Sequence, residues 1–172
     1  MDTNHAQYTQ SQLTADDINQ VYQDALRDPT LLSSINVDEL LDSLETRKND
    51  YLENKTLNSI TNDIYNSICE VCRDPEEQQK LCLKLVGYRV VDELHELHKG
   101  KHVRWINRKS PTLATGGFVV SIKFMEHGTN ILCRNTAKQF IQYKFDECIT
   151  FQKLSPTESL ILMLYEHATH MS

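Results

Sequence analysis

The chain has 172 residues, 40% apolar and 24% charged, with a net charge of −6. A chain of this length and composition can bury a core without disulfides or a metal, which excludes a collagen-like, wholly disordered or disulfide-stapled protein. The segment Met1–Gln12 is polar and carries no signal peptide pattern, and five cysteines is an odd count, so free thiols in a reducing compartment are expected, not secretion. The longest apolar run, Leu160–Tyr165, is far short of the roughly 20 residues that cross a bilayer.

The charge is unevenly placed. Residues 1–98 carry 8 Lys or Arg against 19 Asp or Glu, net −11, and residues 99–172 carry 10 against 5, net +5. The seam near Gly100 coincides with a change of hydrophobic period. Before it, apolar residues recur at helical spacing, and after it they alternate.

Residues 1–12 read as a flexible tail. Residues 13–98 read as a helical region of about four helices. Thr14 with Asp17 starts the first, and Ile18, Val21, Tyr22 and Ala25 follow before Pro29. Asn36 with Glu39 starts the second, carried by Leu40, Leu41, Leu44, Tyr51 and Leu52. Leu57, Ile60, Ile64, Ile68, Val71 and Cys72 form the cleanest stripe. Asp74-Pro75-Glu76-Glu77 combines an N-cap, a proline at the first helical position and acids in the first turn. The fourth helix is then expected to run through Leu81, Leu85, Tyr88, Val91, Leu94 and Leu97 to Gly100, with Gly87 inside it.

Residues 100–154 alternate in five segments around Val103–Trp105, Phe118–Phe124, Ile131–Cys133, Ile141–Phe145 and Ile149–Phe151. Phe118, Val120, Ile122 and Phe124 form the inward set of the second, and Tyr143, Phe145 and Phe151 also point inward. Gly116-Gly117 is a turn before a strand. Five short strands with a long first link and three tight turns predict an SH3-like or Tudor-like small β-barrel. Ser155-Pro156-Thr157-Glu158 then caps a C-terminal helix over 155–170, to be buried on barrel or partner. The expected fold class is α+β.

The candidate chemistry is sparse. Cys69 and Cys72 with His95 and His98 supply a zinc-type ligand set, but each pair falls inside a predicted helix, where a free thiol more often packs as a small apolar group. His95-Glu96-Leu97-His98 is one residue short of the metalloprotease spacing. Cys69 and Cys72 lie late in a helix, unlike a thioredoxin-type redox pair. No nucleophile–base arrangement, small-molecule site or cofactor motif stands out, so no enzyme and no cofactor are expected.

The basic half offers more. Alternation sends Arg104, Lys123, Arg134 and Lys144 outward as a basic stripe that could meet a phosphate backbone, or serve simply as a solvated face. The inward aromatics leave no stacking platform visible. The apolar residues Leu160, Ile161, Met163 and Leu164 suggest a partner interface on the last helix. Acidic and basic halves could also meet each other, within one chain or between copies.

From about residue 88 to 165 the chain resembles a module in uncharacterised proteins of giant and other large DNA viruses of eukaryotes. The resemblance rests on Val103-Arg104-Trp105-Ile106-Asn107, Thr115-Gly116-Gly117-Phe118, Cys133-Arg134-Asn135, Gln142-Tyr143-Lys144-Phe145-Asp146-Glu147, and Phe151-Gln152-Lys153-Leu154-Ser155 followed by Glu158. It implies a viral setting, in a virion or in the host cytoplasm or nucleus, and brings no catalytic residues. The expectation is therefore a non-enzymatic viral structural or interaction protein, contacting other viral proteins or itself. The alternative is a nucleic-acid-binding protein that uses the basic outer face.

Overall fold

The computed structural model describes residues 47–171, together with Gln20, Gln23, Asp24 and Arg27. The expected tail at 1–12 and the bulk of the two helices expected before residue 52 lie outside the described residues. The chain divides into two units. One is Leu57–Ser155, and the other takes the chain up to Thr56 together with the residues from Pro156 onward. The seam expected at residue 100 falls inside the first unit.

The first unit opens with α1 (Leu57–Val71), whose Ile60, Ile64 and Ile68 are buried. Their four-residue spacing stacks them on one face, and the helix packs against α2 (Pro75–Lys84) and the first strand. Asp74 caps α2: its carboxylate accepts from the Glu76 N–H at 3.2 Å, Pro75 fills the first turn and Lys84 closes the last.

Beyond this point the structure departs from the expectation. The helix ends at Lys84, and Gly87 turns the chain with φ +84°. A residue that adopts the left-handed region freely ends a helix. Tyr88–Val91 leaves Gly87 as strand β1, with Arg89 and Val91 buried on one side. The helical spacing of Leu85, Tyr88, Val91 and Leu94 is thus spread over a helix cap, a strand and a 3-10 turn at Leu94–Glu96.

The remaining strands are β2 (His102–Asn107), β3 (Ser110–Leu113), β4 (Gly117–Met125), β5 (Gly128–Arg134), β6 (Phe140–Lys144) and β7 (Cys148–Lys153). All pair antiparallel, in the order β1-β7-β2-β4-β5-β6, with β3 paired to β2. The expected four-helix region plus five-stranded barrel is therefore corrected. The described residues form three α-helices and a seven-stranded sheet that does not close. Two short strands make the difference. β1 covers the edge of β7. β3 doubles back on β2 through a tight turn in which Asn107 Oδ1 accepts from the Lys109 N–H at 2.9 Å. An Asx side chain bonding its own backbone two residues on is what starts such a turn.

The inner side of the sheet gathers Val91, Leu97, Val103, Val119, Ile131, Cys133, Tyr143 and Cys148, with Trp105, Ile122 and Phe145 packed on them. Trp105 stacks on Tyr143 with centroids 4.2 Å apart, and the Tyr143 hydroxyl shares a hydrogen bond with Thr150 Oγ1 at 3.1 Å. Two buried polar side chains pin the 92–98 loop. Arg89 donates to the Glu96 carbonyl, and Gln152 Oε1 accepts from the His98 N–H at 2.7 Å.

This core carries a pH signature. Burial pushes the Cys133 thiol up to about 12, and it raises the Tyr143 hydroxyl and the Cys148 thiol as well. The unfolded chain ionises these groups from their ordinary values upward, whereas the fold keeps them neutral, so the unfolded state loses protons first. Stability is expected to fall as pH rises from about 9, the ordinary thiol value, toward about 12. Urea midpoints measured across that range should decline, and less steeply in Cys133→Ala.

In the second unit the chain forms a 3-10 segment at Arg47–Leu52, kinked at Asn49, and the helix α3 (Pro156–His170) with Glu158 in its first turn. Among the described residues, no helix is long and apolar enough to cross a membrane.

Candidate nucleic-acid interface

Antiparallel pairing places directly opposed residues on one face. Over β4, β5 and β6 this builds three outer rows: Phe118–Arg134–Phe140, Ser121–Leu132–Gln142 and Lys123–Asn130–Lys144. The first row is aromatic–cation–aromatic and the third carries two lysines. No acidic residue stands in any of the rows. Phe118 is 46% exposed, Val120 41% and Phe140 63%. On the same side of the neighbouring strands Ile106, Ile149 and Phe151 are buried, so the open surface is confined to β4–β6.

A bulge produces this surface. The β4–β5 register shifts between Val119 and Ser121, and Val120 is the extra residue. Val119 goes inward opposite Cys133, and Phe118 goes outward opposite Arg134. A bulge inverts the alternation across it, which corrects the expectation that Phe118 and Val120 face the core.

The first row is braced at one end. The His102 ring meets Phe118 edge-on at 5.1 Å, and His102 Nδ1 shares a 3.0 Å hydrogen bond with the Tyr88 hydroxyl. Desolvation lowers the His102 pKa, helped by the Lys153 and Arg104 charges. At the other end the Arg134 guanidinium carbon lies 5.8 Å from the Phe140 centroid, within cation–π range.

The four cations expected to act together separate into two kinds. Lys123, Arg134 and Lys144 are exposed on the open face. Lys144 Nζ also lies 3.3 Å from Glu147 Oε1, a surface pair of little strength. Arg104 is half-buried. Its Nε donates to the Ala114 carbonyl at 2.9 Å and its Nη1 to the Lys84 carbonyl at 3.3 Å, so its guanidinium ties backbone together and is not offered to a ligand.

The zinc-type set does not converge. Cys69 lies late in α1, and Cys72 follows the helix with its thiol 3.8 Å from the Asp74 carbonyl. His95 sits in the 3-10 turn, and His98 leans on Gln152. Among the described residues no three His, Cys, Asp or Glu side chains come together to hold a metal ion. On α3, Leu160, Ile161 and Leu164 are buried and Met163 is half-buried.

A cavity of about 240 Å³ is lined by Ser67, Glu70, Asp92, Arg108, Asp146 and Cys148 among others. Its charged groups are largely engaged. Arg108 pairs with Glu70 at 2.9 Å, and Asp146 Oδ2 accepts from the Thr129 N–H at 2.7 Å. The Cys148 thiol is raised by burial, which makes it a poor nucleophile.

Comparison of the chain with protein-family models, curated proteins and solved structures finds no match in any of the three.

Proposed function

We propose that the protein is a non-catalytic nucleic-acid-binding module that uses the outer face of β4, β5 and β6, in the viral setting that the sequence resemblance implies. One observation carries the reading: that face holds Lys123, Arg134 and Lys144 beside two exposed phenylalanines, with no acid in its rows. Cations attract a phosphate backbone and aromatic rings receive bases. The protein-contact reading rests on the apolar residues of the last helix, and with Leu160, Ile161 and Leu164 buried that helix has less free apolar surface than β4–β6.

The test is amide chemical-shift mapping of the full chain on addition of a single-stranded oligonucleotide at low salt. Shifts are expected to cluster at Phe118, Lys123, Asn130, Arg134, Phe140 and Lys144 and to spare Ser67, Asp92 and Cys148 around the cavity. Shifts centred elsewhere, or none, overturn the proposal.

A further inference from the structure

Resting on that reading, the geometry points to unpaired bases as the ligand: Phe118 and Phe140, with Arg134 between them, form a stacking clamp that selects single strands over duplex.

Paired strands lie about 4.8 Å apart, so the two rings stand on the order of 10 Å apart across β5. A duplex keeps its base faces stacked inside and offers only groove edges and phosphates. A phenylalanine ring on an open sheet can gain a base face only from an unpaired nucleotide. Pure phosphate binding gives no use for these rings, and leaving two of them in water beside Val120 needs a reason. Phe118 is held in place by the His102 edge contact, which is itself fixed by Tyr88. Arg134 lies near enough to the Phe140 ring to hold its guanidinium beside it, where it can serve a phosphate and stack at once. Lys123 and Lys144 stand in a parallel row two side-chain steps along the strands, placed for the phosphates of the nucleotides that follow.

An acidic polypeptide would meet the same cations, but its carboxylates would gain nothing from the rings. The occupant that uses both features is a single-stranded polynucleotide.

The test uses the full chain with a labelled oligothymidylate of about 12 nucleotides, within the usual footprint of such surfaces. A duplex of the same length and polyglutamate serve as competitors. The single strand is expected to bind more tightly than the duplex. Phe118→Ala and Phe140→Ala should each lower single-strand affinity by about 5- to 150-fold, the range of one lost stacked base, and leave duplex affinity nearly unchanged. Phe140→Trp, which keeps a ring, should retain single-strand binding and so separates stacking from a folding defect. Equal affinity for strand and duplex, equal loss of both in the alanine variants, or polyglutamate competing as well as the strand overturns the clamp while leaving a phosphate-binding face in place. Absence of binding to either nucleic acid overturns the proposed function as well.

Discussion

Gly116→Ala is expected to be the most destabilising single-methyl substitution in the sheet. Gly116 has φ +84°, and a β-carbon there would press into the Val103 carbonyl oxygen and come to 3.0 Å from Arg104 Cγ. Neither neighbour can retreat easily. Val103 lies in β2, paired to Gln152 on one side and Gly117 on the other, and Arg104 is anchored to two carbonyls. The left-handed backbone costs an alanine roughly 1–2 kcal/mol, and overpacking of a tight site adds roughly 1–3 kcal/mol. Together that is a large part of the roughly 5–15 kcal/mol that holds a domain folded. Gly87→Ala is the control. Its φ is also +84°, but nothing stands within 4 Å of the added carbon, so only the backbone strain remains. Urea titration checks both: the midpoint should fall far more for Gly116→Ala than for Gly87→Ala, with similar slopes.

The Asp74-Pro75 start of α2 is legible in the sequence, because it uses residues whose backbone chemistry is local. The period-two segments at Val103–Trp105, Ile131–Cys133 and Ile149–Phe151 lie in strands for the same reason. Gly116-Gly117 is not the expected turn: the chain runs on along β2 from Leu113, opposite Ile106, to Gly117, opposite Val103, and Gly116 sits in the irregular stretch between β3 and β4. What was hidden depended on distant pairing. Tyr88 and Val91 fit a helical stripe as well as a strand, and only the free edge of β7 decides between them. Ser110–Leu113 shows no alternation, since it is a short edge strand with little buried side-chain surface. The aromatic row is not legible in the sequence because a single extra residue, Val120, turns Phe118 from one face to the other, and nothing local marks the bulge. Arg104 does lie on the outer side of its strand, but its acceptors at Ala114 and Lys84 come from elsewhere in the chain. Alternation could show where Arg104 pointed but not that it was already occupied.

The second large effect is on binding. Each cation that neutralises a phosphate releases bound counterions, and for single strands the logarithm of affinity falls by about 0.7 per phosphate for each tenfold rise in salt. The variant Lys123→Gln, Arg134→Gln, Lys144→Gln removes three such contacts from exposed strand positions, where the loss of charge should leave the core untouched. Affinity for a single-stranded oligonucleotide should drop roughly 100-fold at low salt, and the slope of affinity against salt should flatten by about 2. Lys80→Gln, on α2 outside the three rows and already paired with Glu77, should change neither. The salt dependence of oligonucleotide affinity, compared between the native chain and the triple variant, is therefore the most direct measurement of where the polyanion is held. A steep native slope that flattens by about 2 in the triple variant is the predicted result. An unchanged slope and affinity in the triple variant would contradict the assignment of the β4–β6 face.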